Sequence, residues 1–376
     1  MFPIIWRSLI GQYLKVLFLS LGIFVALLLT LRLNEIAHFA AMGPNSFIIL
    51  KFIALQIPYM LPIAVAVGSL IASASLLFKL SEAHEITALR SSGFSLSRIL
   101  FPILLTAGFI SIGNFWIVSE FATKSHHSAA KIKNEIRTVN PLLLLNHKHL
   151  ADLKGFYFET FGTAKMGEAA EKALIAHNDK RSGRMALFFA ESLKIKENSL
   201  TGNAVSFLLP LKDKGKNEAS FILENADHYM VPKDAFSAIL GRDLAITGND
   251  HLKLPLLLSK LLIEKRKISQ NLPESKELKK AENKCKSEIA RRISVGLSPF
   301  ALTLLGATFG ISVGRVRSYK SFFLMIFLTA LFLVGYFVAK GLDHNFNLSL
   351  ILYFVPETLM ILASLLMIFK LERGVS

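Results

Sequence analysis

Six stretches of about 20 residues, almost free of charged side chains, dominate this sequence of 376 residues. A helix needs about 20 consecutive apolar residues to cross the hydrocarbon core of a bilayer, so each stretch has the length of a membrane span. Hydrophobic residues make up 52% of the chain and mean hydropathy is +0.48. A soluble protein rarely has so high a mean hydropathy, because its surface needs charged residues. The stretches are residues 13–31, 52–78, 99–119, 293–313, 321–339 and 348–369.

The pattern predicts a membrane α-helical bundle of six transmembrane helices, arranged three plus three around a polar segment. The first stretch is interpreted as an anchor, because no small-residue cleavage site of a signal peptide follows it at residues 32–35. Short loops on one side hold ten basic residues, against three on the other, so both chain ends are predicted to be cytoplasmic. The ten are Arg7, Lys15, Lys79, Arg90, Arg98, Arg315, Arg317, Lys320, Lys370 and Arg373, and the three are Arg32, Lys51 and Lys340.

In the polar segment, apolar and polar residues alternate with a period of two, which is typical of β-strands. Strands are predicted at 155–163, 172–177, 185–198, 199–210 and 218–231, separated by turn formers, and their spacing favours an all-β sandwich or jelly roll. The predicted orientation of the helices places this domain outside the cytoplasm. The predicted organisation is 1–124 with transmembrane helices 1–3, 125–255 as the jelly roll, 256–290 as a helical connection and 291–376 with helices 4–6. The lysine-rich connection is either a solvated helix with pairs such as Glu282–Lys286 and Glu288–Arg292, or a segment at the outer membrane surface near lipid phosphates.

Motifs of catalysis are absent from the sequence. It has no phosphate-binding P-loop and no nucleophile elbow, its single cysteine excludes an intrachain disulfide, and we expect neither an enzyme nor a cofactor or metal. The pairs His126–His127 and His147/His149 are interpreted as surface histidines, and the glycines of 306–315 as helix-packing residues. The net charge of +16 fits anionic lipid better than nucleic acid, since no base-reading motif occurs.

The segment 81–93 has the features of a short capped helix between two membrane spans. Ser81 is predicted to cap the start of this helix, and Gly93 to end it in a left-handed conformation. The negative charge of Glu85 lies near the positive N-terminal end of the helix dipole, and the positive charge of Arg90 lies near its negative C-terminal end; both positions stabilise the helix. Such a helix is either a coupling helix, by which a membrane subunit docks into a separate ATPase, or an ordinary helical loop.

The stretch EITALRSSGFS, residues 85–95, resembles the coupling segment of the LptF/LptG permeases, the membrane subunits of the lipopolysaccharide export ABC transporter. Five further stretches are similar to family landmarks, and they occur in the family's order along nearly the whole chain: IWRSLIGQYLKVL near the start, PIAVAVGSL at 62–70, FFAESLKIKENSL at 188–200, GRVR at 314–317 and FVPE at 354–357. Glu357 stands where the family usually has Asn, and Pro58 lies closer to Pro62 than the family pattern suggests.

The resemblance implies a transporter subunit in the inner membrane that works with a cytoplasmic ABC ATPase dimer, a sister permease and periplasmic jelly-roll bridge proteins. Lipopolysaccharide would enter a cavity with an apolar wall and a basic rim. For the ATPase coupling it implies Glu85, Ala88, Leu89, Arg90, Gly93 and Arg315; for the lipid it implies Phe18, Phe24, Leu28, Phe322, Phe327, Phe332 and Tyr336 in the wall, with Arg32 and Lys340 at the rim. The alternatives are a mechanotransmission ABC protein and an ATP-independent membrane scaffold or carrier.

Overall fold

The computed structural model describes residues 4–41, 45–139, 151–153, 156–160, 169–179, 184–196, 199–210, 221–232, 248–269, 275–316 and 319–372. Its longer helices are α1 (Ile4–Leu31), α2 (Leu33–Ala41), α3 (Ser46–Glu82), α4 (Glu85–Ser91), α5 (Leu96–Trp116), α6 (Ala122–Val139), α7 (Leu254–Ser269), α8 (Ser275–Val316), α9 (Tyr319–Gly341) and α10 (Phe346–Glu372). A π-helical turn, Ile117–Phe121, joins α5 to α6, and a single 3₁₀ turn, Asn249–His251, precedes α7.

Six helical spans in the described residues are long and apolar enough to cross a membrane, which confirms the number predicted. They lie in α1, α3, α5 with α6, α8, α9 and α10. The longest, α8, has 42 residues and so extends about 63 Å, roughly twice the hydrocarbon thickness. The end of the lysine-rich connection is therefore one continuous helix with the fourth span.

Helix α8 occupies the centre of the bundle. It packs against α3, α5, α9 and α10, and its apolar residues Leu302, Leu305 and Phe309 are buried among them. A Cβ at Gly310 would lie 2.6 Å from the carbonyl oxygen of Ala74 on α3, closer than atoms can approach. Glycine therefore permits α3 and α8 to touch at the backbone, which is the packing role predicted for this glycine-containing stretch.

Helix α1 is buried along only part of its length. Its buried residues are Leu9, Tyr13, Leu17 and Ser20, all in its first two thirds. Tyr13 is fixed by a hydrogen bond of 2.9 Å between its hydroxyl and that of Thr303 on α8. From Leu21 to Leu31 no residue is buried, so this portion of α1 has few contacts within its own chain.

The strands form one antiparallel sheet in which sequence neighbours pair: β1 (Ala151–Leu153), β2 (Phe156–Thr160), β3 (Ala169–Asp179), β4 (Arg184–Lys196), β5 (Ser199–Pro210) and β6 (Phe221–Pro232). Ala173, Ala190, Leu193 and Val205 are buried. Strands β2 to β6 follow the predicted segments to within a few residues at each end, because turn formers bound them, whereas β1 has no predicted counterpart. The jelly-roll arrangement stays a prediction, since several connections that would define it lie outside the described residues.

By backbone proximity the chain divides into two compact units. One comprises Met1–Arg32, Ala54–Ser128 and Gly248–Ser376, and the other comprises Leu33–Ile53 and Ala129–Thr247. Both surfaces described below are built by residues of the first unit alone.

The start of the predicted 81–93 helix differs from the expectation. Ser81 does not cap a new helix: it lies in the last turn of α3, is buried, and donates a hydrogen bond of 3.0 Å to the carbonyl of Ile311. The chain instead breaks at His84, whose φ of 59° is left-handed, and α4 begins at Glu85. Tertiary contact with α8 thus extends α3 past the residue that sequence alone assigns as a cap.

The end of α4 agrees with the prediction. Gly93 has φ of 89°, its N–H donates to the carbonyl of Arg90 (3.0 Å), and the N–H of Phe94 donates to the carbonyl of Leu89 (3.1 Å). This pair of bonds is a Schellman motif, which satisfies carbonyls that a helix end leaves free. The hydroxyl of Ser95 then accepts a bond from the N–H of Arg98 and caps α5.

Candidate functional site

A pocket of about 210 Å³, here named the cationic pocket, lies between the C-terminal ends of α1 and α9 and the interior turns of α3 and α8. Three basic side chains line it: Arg32 beyond the end of α1, Arg291 on α8 and Lys340 at the end of α9. Its floor is apolar, with contributions from Leu28, Leu31, Met60, Pro62, Ile63, Val118, Val295 and Phe337. The pocket therefore combines an apolar lining with positive charge.

Tyr59 on α3 orients the cations of this pocket. Its hydroxyl accepts a hydrogen bond of 3.0 Å from Nζ of Lys340, which also lies 5.7 Å from the ring centroid. The Arg32 guanidinium carbon lies 5.8 Å from the same centroid. Both distances are within the range in which a ring attracts a cation through its quadrupole. One aromatic residue therefore keeps two positive groups near each other despite their mutual repulsion.

Three aromatic rings form a stack beside the pocket. His126 lies between Tyr59 and His251, with centroid distances of 4.3 Å on both sides. The expectation of a surface histidine is therefore wrong for His126, which is half-buried, whereas His127 is exposed. Burial and the nearby charges of His127 and Lys340 lower the pKa of His251, although Asp250 opposes this effect. His251 is thus neutral at physiological pH and suited to stacking; His147 and His149 lie outside the described residues.

A buried ion network supports the pocket from α8. Arg291 donates to both carboxylate oxygens of Glu288, at 2.7 and 2.6 Å, and to the hydroxyl of Tyr336 at 3.1 Å. Arg292 donates to the same carboxylate at 2.8 Å and to the Leu252 carbonyl at 2.7 Å. The Glu288–Arg292 pair that the sequence predicts does form, but in the interior, with Arg292 0% exposed. One carboxylate facing two guanidinium groups leaves an excess of positive charge behind the pocket wall.

Asp250, in the 3₁₀ turn, is the acidic residue among those that line the cationic pocket in the described part of the chain. Its Oδ2 lies 3.3 Å from Nζ of Lys340. Burial raises the pKa of Asp250, but the positive charges of Arg291 and Lys340 outweigh it and hold that pKa below its usual value. The carboxylate is therefore ionised at neutral pH.

A second surface, here named the α4 groove, lies at the opposite ends of the membrane helices. It has a volume of about 420 Å³ between the start of α1 and α4. Three of the predicted coupling residues, Glu85, Ala88 and Leu89, line it together with Ile4, Ile5, Ser8, Leu9, Gln12, Leu80 and Ser92. The opposite face of α4 buries Ile86 in the bundle core, so α4 is fixed to the helices while Glu85 and Ala88 remain exposed.

The remaining predicted coupling residues have different surroundings. Arg90 turns toward the end of α10 and donates to the carbonyls of Leu371 and Glu372, both at 3.2 Å. Gly93 ends α4, and Arg315 lies in the last turn of α8, where its side chain is outside the described part of the structure.

The residues predicted for the apolar wall do not lie on one surface. Phe18 and Phe327 are exposed on the bundle surface, at 67% and 62%, and Phe24 is partly buried. Phe322 lines a separate apolar pocket of about 650 Å³. Leu28 lies in the cationic pocket.

The other two wall residues are buried. Phe332 is 5% exposed and packs with Leu328 and Met360, so it belongs to the bundle core rather than to a surface that lipid reaches. Tyr336 lines the cationic pocket and accepts the hydrogen bond from Arg291. The structure therefore brings Arg32, Lys340, Leu28 and Tyr336 together, as predicted for one lipid site, and adds Tyr59, Asp250 and Arg291.

The described residues contain no group of three or more His, Cys, Asp or Glu side chains arranged to hold a metal ion.

Comparison with protein families matches residues 7–370 to the family described as "Lipopolysaccharide export system permease LptF/LptG". No curated protein matches the chain. The family match includes every residue that lines the cationic pocket, and all those that line the α4 groove except Ile4 and Ile5.

Proposed function

The chain belongs to the LptF/LptG family of lipopolysaccharide export permeases, and we propose that it binds the phosphate groups of lipopolysaccharide in the cationic pocket. It is a multi-pass membrane protein of a transport family. The observation that carries the proposal is the convergence of Arg32, Arg291 and Lys340 in one pocket that apolar side chains of the membrane helices also line.

The chemistry of the substrate matches this arrangement. Lipopolysaccharide presents phosphate groups next to several acyl chains, so its site needs cations at the boundary of a hydrocarbon surface. Arginine and lysine are the residues that bind phosphate, and arginine does so with a planar pair of donors. Next to the pocket, Leu31, Phe337 and Val338 expose apolar surface on α1 and α9, where acyl chains would lie.

We further propose that the α4 groove receives a separate cytoplasmic ATPase. Glu85 and Ala88 are exposed there, while Ile86 and Leu89 pack into the bundle core. Force applied to α4 would therefore reach α3 and α5, the helices that flank it. The excess of basic residues in the loops at this end supports a cytoplasmic orientation.

In this proposal the protein lies in the inner membrane with its β-sheet in the periplasm. The sheet belongs to a jelly-roll domain that passes lipid to a bridge protein by strand addition, and a sister permease completes the cavity. An antiparallel sheet supports such pairing because an edge strand offers free backbone donors and acceptors. Within the described sheet, the edge strands are β1 and β6.

One experiment tests the proposal as a whole. The chain is expressed with the ATPase and sister permease of its own transporter, purified in detergent, and assayed for bound lipid, bound ATPase and ATP-dependent lipid release. We expect all three, and we expect release to fall when the lipid lacks its phosphate groups. Release that is equal for phosphorylated and dephosphorylated lipid would reject the phosphate site. Purification without any ATPase would reject the coupling.

A further inference from the structure

An internal carboxylate lies among the cations of the pocket. Asp250 shares the cationic pocket with Arg32, Arg291 and Lys340, and its Oδ2 lies 3.3 Å from the ammonium group of Lys340. The two side chains remain 30% and 38% exposed, so a ligand in the pocket can reach both. A carboxylate at this position has the charge and acceptor geometry of one face of a phosphate group.

The turn that carries Asp250 is held in place by other contacts. Arg292 donates to the carbonyls of Asn249 (3.3 Å) and Leu252 (2.7 Å), and Lys260 donates to the side-chain oxygen of Asn249 at 2.7 Å. His251 adds the ring stack with His126. The carboxylate of Asp250 is therefore not required to hold the backbone of this turn, so its ion pair with Lys340 can break without moving the turn.

Lys340 also has a second partner. Its ammonium group donates to the hydroxyl of Tyr59 and lies over that ring, so it stays oriented toward the pocket when Asp250 moves away. Among the described residues, the ammonium group thus has one neutral partner that positions it, Tyr59, and one anionic partner that neutralises part of its charge, Asp250. Only the anion competes with an incoming phosphate.

We propose that Asp250 occupies the phosphate position in the lipid-free protein and is displaced from Lys340 by the substrate, so that it selects phosphomonoesters over phosphodiesters. The inference rests on the proposed function, namely that the cationic pocket binds lipid phosphate. A phosphomonoester carries about −1.5 to −2 charges near pH 7 and has three acceptor oxygens, so it displaces a carboxylate with a net gain. A phosphodiester has no second ionisable oxygen and exchanges one singly charged group for another.

This selection has a use in a membrane. The bulk anionic phospholipids carry phosphodiesters, and their number would saturate an unguarded cationic pocket. With Asp250 in the pocket, such lipids gain little by entering, whereas a lipid that carries phosphomonoesters does. The same carboxylate would return to Lys340 after the lipid leaves and so would favour release.

The test measures competition for the pocket in the full chain. The protein is placed in phosphatidylcholine nanodiscs and photocrosslinked to diazirine-labelled diphosphoryl lipid A. Unlabelled diphosphoryl lipid A, phosphatidylglycerol or inorganic phosphate serves as the competitor. For Asp250→Asn we expect phosphatidylglycerol to compete at a concentration lower by about fivefold, with a smaller change for lipid A. Inorganic phosphate, which lacks acyl chains, should compete weakly with both proteins.

Three variants control the result. Asp343→Asn removes an acid that pairs with Lys284 at 3.8 Å and does not line the pocket, so it should leave the competition unchanged. Asp250→Glu keeps the carboxylate and should keep the selectivity. Adding Lys340→Gln to Asp250→Asn should abolish the gain in phosphatidylglycerol binding, because the released cation is then absent.

The outcomes separate this inference from the proposed function. Crosslinking of lipid A by the wild type, together with unchanged selectivity in Asp250→Asn, overturns the inference and leaves the lipid site intact. Loss of all binding in Asp250→Asn also overturns it, since the carboxylate would then be a support for the site. Absence of lipid A crosslinking in the wild type rejects the proposed function itself. Strong competition by inorganic phosphate would identify a free-phosphate site and contradict both.

Discussion

The guanidinium of Arg90 donates hydrogen bonds to the last backbone carbonyls of α10, those of Leu371 and Glu372, both at 3.2 Å. The hydroxyl of Ser97, at the start of α5, donates to the side chain of Glu372 at 2.6 Å. A cation at a helix C-terminus is favourable because the free carbonyls there carry partial negative charge. The short helix α4 is thereby connected to the end of the sixth membrane span as well as to α3 and α5.

We predict that Arg90→Ala reduces lipid release per ATP hydrolysed by at least about threefold, since a charged hydrogen bond of this kind contributes about 1.5–3 kcal/mol. Binding of the ATPase should remain, because the exposed face of α4 is unchanged. Arg98→Ala is the matched control, as Arg98 is exposed and makes no side-chain bond to α10 in the described structure. A loss of ATPase binding in Arg90→Ala would instead indicate direct contact with the ATPase.

The prediction for Glu85→Ala includes binding of the ATPase as well as coupling. Glu85 is exposed in the α4 groove, so the variant should fold normally and bind the ATPase more weakly or fail to couple hydrolysis to transport. Co-purification of the ATPase and ATP-dependent lipid release measure the two effects. Glu82→Ala removes an exposed acid near α4 that lines another pocket, and it should behave as wild type. If Glu85→Ala retains both properties at the wild-type level, the coupling assignment is wrong.

Arg32→Glu should lower lipid crosslinking more than it lowers protein yield. The reversal places a second acid in the cationic pocket, opposite the Tyr59 ring over which the guanidinium lies. Lys284→Glu is the control, because Lys284 is a half-exposed basic residue on α8 that does not line the pocket. Equal crosslinking per molecule in Arg32→Glu and the wild type would remove Arg32 from the phosphate site.

Glu288→Gln should destabilise the protein more than any surface change of equal size. The substitution leaves two buried guanidinium groups, 8% and 0% exposed, without their carboxylate, which typically costs about 3–5 kcal/mol. Glu282→Gln, on the same helix, breaks a pair with the more exposed Lys286 and should cost about 0–1 kcal/mol. Thermal unfolding in detergent compares the two variants. Similar melting temperatures would show that the buried network does not stabilise the fold.

The sequence predicts the membrane helices well because hydropathy is a local property. A helix in hydrocarbon satisfies its own backbone groups, so 20 apolar residues suffice to indicate it. The strands are likewise bounded by local turn formers. The start of α4 was misplaced because the hydrogen bond between Ser81 and Ile311 joins residues far apart in sequence, and no local signal announces it.

The cationic pocket was predicted only in part for the same reason. Arg32 and Lys340 stand at the ends of apolar stretches, where a basic rim is expected, but Tyr59, Asp250 and Arg291 come from three further elements. Arg291 and Arg292 also belong to a sequence segment rich in charged residues. The four-residue spacing of Glu288 and Arg292 predicts an ion pair on the helix, but it does not tell whether that pair is exposed to water or buried. Spacing determines which residues meet on a helix, whereas burial depends on the neighbouring helices.

The distribution of burial along α1 has a mechanical consequence. Its anchored portion ends at Ser20, and the remainder to Leu31 leans on little of its own chain. Gly22 lies just past the anchored portion, and a Cβ added there would meet no atom within 4 Å, so neighbouring helices do not pack closely against this turn. Because Arg32 follows the end of α1, any outward movement of this segment would also remove one of the three cations from the cationic pocket. If the pocket binds lipid phosphate as proposed, lateral opening beside α1 and weaker phosphate binding would then be the same motion, and tight binding would require α1 to return.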